Sequence, residues 1–364
     1  MPAPWENPRV KQRNLKNYAR PALRELFGHE GISAYRADQV LGWLYGRGVD
    51  DIHAMTDLPL PLRESLAEQW RCRALEVRDI QTSTDGTKKL VLEADDGSLL
   101  EAVLIPEERR NTLCVSTQVG CPLACSFCAT GKMGLKRNLT VAEIVDQLMR
   151  AREILPEDEG ISNIVFMGMG EPLLNLDAVR ESIAIFTDPK GLGMAPRRIT
   201  VSTAGIVPQI RPLLEIGPIN LAVSLHATTD EVRDELVPLN KRFPLETLLG
   251  ALRSEELISR KRPVFFEYTL MKDTNDSLED ARRLPRLLAG IPCKVNLIPM
   301  NPHPDAIHEP PSSEVCDAFA AQVHELGMRV TLRRSRGRDI DAACGQLAAR
   351  KNSLAPSSPT SPVD

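Results

Sequence analysis

The sequence has no stretch of about 18 apolar residues, the minimum for a helix that crosses a bilayer. Its start, Met1-Pro2-Ala3-Pro4-Trp5-Glu6, lacks both the charged segment and the apolar segment of a secretion signal. Together these predict a cytoplasmic protein without a membrane partner. Basic charge is not in excess either: the formal net charge is -4, so contact with nucleic acid has to come from local Lys and Arg clusters. What the chain has is 364 residues, 42% of them hydrophobic, enough for one large domain and an accessory one. Its eight cysteines, in a reducing compartment, read as metal ligands or reactive thiols before disulfides.

Helical periodicity broken by Gly and Pro, as in Ala37-Asp38-Gln39-Val40-Leu41-Gly42-Trp43-Leu44-Tyr45, predicts a small helical domain over 1–70. Two Asp-Gly turn signals, Asp85-Gly86 and Asp96-Gly97, predict hairpins at 88–93 and 99–105 within a linking region, 71–110. From 111 to 350 short β-rich runs, at 113–117, 163–167, 198–202, 220–225, 264–270, 294–298 and 329–332, alternate with helical runs. That alternation means α/β architecture with parallel strands and crossover helices, a full or partial barrel rather than firmly an open doubly wound sheet. Thr140-Val141-Ala142-Glu143 fits a capping box. The Ser/Pro-rich tail, 351–364, is expected to be disordered.

Directly after the first strand of the alternating region comes Cys121-Pro122-Leu123-Ala124-Cys125-Ser126-Phe127-Cys128. Three thiolates at CxxxCxxC spacing can ligate three irons of a 4Fe-4S cube and leave the fourth iron open. The alternative is structural zinc, which takes four closed ligands, and no His lies nearby to complete the set. One unit later, Gly168-Met169-Gly170-Glu171-Pro172 combines two glycines that admit a ligand to the backbone with a carboxylate that can accept from an ammonium. Ser202, Ser224-Leu225-His226 and Asn301 stand at other strand ends, each equally readable as a capping residue.

The cysteine spacing, with aromatic Phe127 before the last Cys, resembles the radical S-adenosylmethionine superfamily. The resemblance implies a partial (β/α) barrel. It also implies a cluster on Cys121, Cys125 and Cys128 whose open iron binds the cofactor's amino and carboxylate groups, and electron transfer that yields a 5'-deoxyadenosyl radical. Phe127 would help seat the adenine. Gly170 and Glu171 would bind the methionine amino group, with Ser202, Ser224, Leu225, His226 and Asn301 as further cofactor contacts.

The segments Cys114 to Cys121, Gly168 to Leu173, Ser224-Leu225-His226-Ala227 and Asp341-Ala342-Ala343-Cys344-Gly345-Gln346-Leu347 narrow the likeness, over roughly 99–347, to the RlmN family. These are methyltransferases acting on carbon 2 of an adenine in 23S rRNA and in certain tRNAs. Carbon 2 is electrophilic, so a methyl cannot reach it by polar transfer from a sulfonium. A thiolate, in contrast, takes a methyl readily, and the resemblance assigns that step to Cys344. The radical from a second S-adenosylmethionine would abstract hydrogen from the S-methyl group, and the carbon radical would add to the ring. Cys114 would release the product by attacking the sulfur of Cys344, leaving a transient disulfide. Glu101, on the apolar face of its strand with Leu99, Val103 and Ile105, would be the base that removes the ring proton. Its other reading is an edge-strand charge. The resemblance further implies an electron donor such as flavodoxin and a monomer.

Cys72, Cys293 and Cys316 match no motif. Lys132, Lys136 and Arg137, and the run 333–338 (Arg333-Arg334-Ser335-Arg336-Gly337-Arg338), flank the expected site and are candidates for phosphate contact. Two alternatives remain at this stage. One is a Cfr-type enzyme that methylates carbon 8, against which chain length and the helical extension argue. The other is a noncatalytic zinc-containing RNA-binding protein.

Overall fold

A computed structural model of the chain describes residues 12–108 and 110–348; the expected tail, 351–364, lies outside the described residues. No helix among the described residues is long and apolar enough to cross a membrane.

Ten strands form one sheet whose spatial order is their chain order: β1 (Leu75–Thr82), β2 (Lys88–Ala94), β3 (Leu99–Glu107), β4 (Arg110–Cys114), β5 (Ile161–Phe166), β6 (Ile199–Thr203), β7 (Asn220–Ser224), β8 (Val264–Leu270), β9 (Cys293–Pro299) and β10 (Val330–Leu332). The pairs from β1 to β4 are antiparallel and those from β4 to β10 are parallel. A doubly wound sheet reverses its strand order at a switch point. This order never reverses, so successive right-handed crossovers keep the helices on one face. β1 and β10 remain the two ends, which makes the barrel partial.

The alternation along the parallel strands shows which face is which. Ile164, Phe166, Val201, Leu221, Val223, Phe266, Tyr268 and Leu297 are buried, on the face that the crossover helices cover. The residues between them, including Val165, Thr200, Ser202, Ser224, Thr269 and Asn296, are half-buried and face the concave lumen. The capping box at Thr140 is formed: Thr140 Oγ1 accepts from Glu143 N and Glu143 Oε2 from Thr140 N, opening helix Val141–Glu153. β4 ends at Cys114 rather than at Thr117. The side chain of Gln147 takes over the next backbone groups, donating to Ser116 O at 2.9 Å and accepting from Ser116 N at 2.7 Å.

The helical N-terminal part holds Arg20–His29, Tyr35–Leu41 and Leu60–Gln69 around Trp70, whose ring meets Tyr18 and Phe27 edge-on and carries the Arg13 guanidinium at 3.8 Å. Its apolar core is continuous with that of the barrel. A buried ionic link also crosses between them. Lys16, fully buried, reaches Asp50 and Asp146 at 2.6 Å each, and Asp146 also accepts the N–H groups of Ala74 and Leu75.

Candidate active site

A single cavity at the C-terminal ends of the parallel strands gathers Cys121, Cys125, Phe127, Cys128, Gly168, Gly170, Glu171, Ser202, Ser224, His226, Asn301 and Cys344. The cysteine loop is shaped by glycines. Gly120 has φ +78, and a Cβ there would stand 1.8 Å from Gly134 O; a Cβ on Gly131 would stand 3.0 Å from Cys125 N. Burial pushes the Cys121 thiol up to about 12 and raises Cys125 and Cys128 as well, while backbone N–H groups of Leu123 on Cys121, and of Gly131 and Thr130 on Cys128, act the other way. Half-buried cysteines with amides aimed at their sulfurs fit thiolate ligands of an iron–sulfur cluster, whose potential such hydrogen bonds tune.

Glu171 closes the next strand end. It is buried, and its two carboxylate oxygens accept from Leu173 N at 3.0 Å and Ala204 N at 2.8 Å. Burial raises its pKa to about 6 against those two bonds. The glycines before it answer to the protein first: a Cβ on Gly168 would stand 2.8 Å from Val115 C, and one on Gly170, at φ +102, would stand 2.6 Å from Gln118 Cβ. His226 has φ +59, accepts from Thr269 N through Nδ1 at 3.0 Å and meets Phe127 edge-on at 4.7 Å. Burial, then Arg233, lowers its pKa to about 3, so the imidazole is neutral. Asn301 donates to Cys344 O at 3.1 Å, while its Oδ1 is buried with no hydrogen-bond partner among the described residues. That orphaned acceptor in the cavity wall fits a ligand that brings a donor. Leu225 differs: its side chain is fully buried in the core and does not line the cavity.

Cys344 is exposed to the cavity. It lies on a loop in which Gly337, Asp341 and Gly345 adopt left-handed backbone at φ +66, +52 and +84. Surrounding protein raises its pKa and Arg333 acts against that. Cys114 is buried in β4, and burial, then the nearby Cys344 charge, pushes it up to about 12. All eight cysteines are free thiols here; the disulfide implied by the resemblance is not formed. Glu101 is 2% exposed on β3, which lies between β2 and β4, so the edge-strand reading fails. Its carboxylate stands 3.5 Å from Lys89 Nζ and accepts from Ala348 N at 2.9 Å. The pairing of Val103 with Cys114 puts Glu101 and Cys114 on the same sheet face.

The basic candidates divide. Arg137 cross-links Asp96 and Glu143 at 2.8 to 3.0 Å, and Arg336 is tied to Asp85 and Pro106 O. Lys136 donates to Ser98 Oγ at 2.6 Å, whereas Arg334 is exposed. Two charged residues escaped the sequence reading. Arg233, 1% exposed, donates to Ala204 O, Ser224 O, Leu225 O and Asn240 Oδ1 and so pins two strand ends. Glu267 lines the cavity from mid-strand; its position inside Phe265-Phe266-Glu267-Tyr268 was the available signal.

Fold and site together are those of a radical S-adenosylmethionine enzyme: the Radical SAM superfamily profile matches residues 115–284. The profile of the ribosomal RNA large subunit methyltransferase N-terminal domain matches residues 13–71. Proteins named dual-specificity RNA methyltransferase RlmN from Marinobacter nauticus and Dinoroseobacter shibae are 46% and 48% identical, covering 93% and 94% of this chain and 93% and 91% of their own. A crystal structure of a radical SAM methyltransferase from Sphaerobacter thermophilus superposes with TM-score 0.86 at 43% identity, over 93% of this chain and all of that one. The chain belongs to the RlmN family.

Proposed function

We propose that this protein methylates carbon 2 of an adenine in 23S rRNA and in tRNA, with Cys344 carrying the methyl group and Cys114 releasing the product. The observation that carries the reading is the convergence of Cys344 with the three-cysteine loop on one cavity, with Cys114 close enough to Cys344 for the two charges to interact. Cys121, Cys125 and Cys128 would hold a 4Fe-4S cluster, which supplies the electron that cleaves S-adenosylmethionine. Gly170, Glu171, Ser202, Ser224, the backbone at Leu225, His226 and Asn301 would seat the cofactor, two molecules of which are consumed per methyl transferred. The exposed thiol of Cys344 accepts the methyl group, Glu101 takes the ring proton, and buried Cys114 attacks the Cys344 sulfur. An electron donor of the flavodoxin kind would supply the cluster with its electron, and the resulting disulfide has to be reduced to two thiols before the next cycle. A cytoplasmic monomer fits this work.

A structural zinc site takes four closed ligands, whereas three thiolates on separate irons leave the fourth iron of a cube open. The test is Cys114→Ala in anaerobic turnover: the variant should accumulate a covalent protein–RNA species that denaturing electrophoresis resolves. Free methylated RNA at the wild-type rate would remove Cys114 from the chemistry.

A further inference from the structure

Glu267 sits in the middle of β8, 6% exposed, in the wall of the cavity that holds Cys344 and Asn301. Strand register places Ser224, Glu267 and Asn296 in one row across β7, β8 and β9, on the lumen face. Asn296 Nδ2 donates to Glu267 Oε1 at 2.9 Å. Oε2 is buried and accepts no hydrogen bond among the described residues; Arg333 Nη1 stands 3.9 Å from it. A buried carboxylate oxygen without a donor is costly, so this one awaits a donor from whatever fills the cavity. Burial raises the pKa of Glu267, opposed by Asn296 and Arg333.

Position within the cavity indicates which donor. The cysteine loop and Gly170-Glu171, where the cofactor's methionine end belongs, follow β4 and β5. Glu267 is three strands from β5, on the side of Cys344, whose thiol feels its charge, and of the half-exposed Arg333. The base to be methylated has to reach Cys344. Adenine presents an exocyclic amine as donor, within one ring width of carbon 2. We propose that Glu267 is a specificity-determining residue that accepts a hydrogen bond from the exocyclic amine of the target adenine; this rests on the adenine methyltransferase reading above. Asn296 orients the carboxylate and Arg333 offsets its charge.

The test measures RNA binding by cluster-replete protein without reductant, using fluorescence anisotropy and two short RNAs that differ only at the target position. One carries adenosine, the other purine riboside, which lacks the amine. The wild type should favour adenosine by roughly ten- to a hundredfold. Glu267→Leu should abolish that preference by weakening the adenosine RNA alone, with S-adenosylmethionine affinity from equilibrium dialysis unchanged. Glu267→Gln, which keeps an acceptor oxygen, should retain a reduced preference and carries the test if the Leu variant folds poorly. A preference intact in both variants overturns the proposal. So does a wild type that binds both RNAs equally, or a variant that loses cofactor affinity while keeping its preference. Failure of the underlying reading looks different: folded, iron-replete wild type yields no methyladenosine at all.

Discussion

The backbone N–H of Ala129 donates to the carbonyl of Gly345 at 2.8 Å, which joins the cysteine loop after β4 to the loop that carries Cys344. Thr130 Oγ1 adds a bond to Leu347 O at 2.6 Å, and Gln346 Nε2 fixes Pro302 O at 2.7 Å. The proposed methyl-carrying thiol is therefore held by the same short segment that presents the cluster ligands. Order in one loop depends on order in the other.

Gly120→Ala tests that dependence from the cluster side. Left-handed backbone costs a residue other than Gly about 1–3 kcal/mol, and the approach of Gly134 O to 1.8 Å of a Cβ forces the loop to move. Iron bound per chain after anaerobic reconstitution should fall well below the wild-type value, with a lower melting temperature. Wild-type iron content in this variant would show that the turn does not shape the ligand set.

Asp146→Ala should destabilise the protein by about 3 kcal/mol, because it takes from buried Lys16 one of its two carboxylate partners and leaves the buried N–H groups of Ala74 and Leu75 without an acceptor. Burial opposes ionisation of Asp146, but Lys16 and Arg150 outweigh it and lower its pKa below 3.8. A carboxylate with a depressed folded-state pKa stabilises fully above its unfolded value and loses that contribution as pH falls through the folded one. The stability difference between wild type and variant, from urea unfolding, should thus hold near neutral pH and shrink below about pH 4. A difference that grows on acidification would contradict the ionic link.

Arg137 and Arg334 should behave oppositely, although both lie in basic clusters. Arg137→Ala removes charged hydrogen bonds to Asp96 and Glu143 and should cost about 2 kcal/mol of stability, with the salt dependence of RNA binding unchanged. Arg334→Ala should leave stability alone and lower the salt slope by about 1. The reverse pattern would place phosphate contact at Arg137.

Periodicity made the sheet legible. Seven β-rich runs of alternating or apolar residues became the seven parallel strands, and two Asp-Gly pairs became the turns before β2 and β3, with Gly86 and Gly97 at φ +85 and +73. The cysteine loop and strand-end polar residues were legible because their chemistry is local. The Cys344 loop was not, since its left-handed turns at Gly337, Asp341 and Gly345 follow no periodic pattern. The ion pair of Arg137 was not legible because Asp96 lies 41 residues away. Arg233 depends wholly on tertiary burial, and no local pattern distinguishes it from a surface charge, whereas Glu267 carried a signal in its apolar strand neighbours Phe266 and Tyr268.

The most direct measurement is mass spectrometry of nucleosides from cells that lack the endogenous modification and express this protein or Cys344→Ala. The account predicts 2-methyladenosine in rRNA and tRNA with the wild type and none with the variant. Appearance of 8-methyladenosine instead, or 2-methyladenosine undiminished in Cys344→Ala, would contradict it.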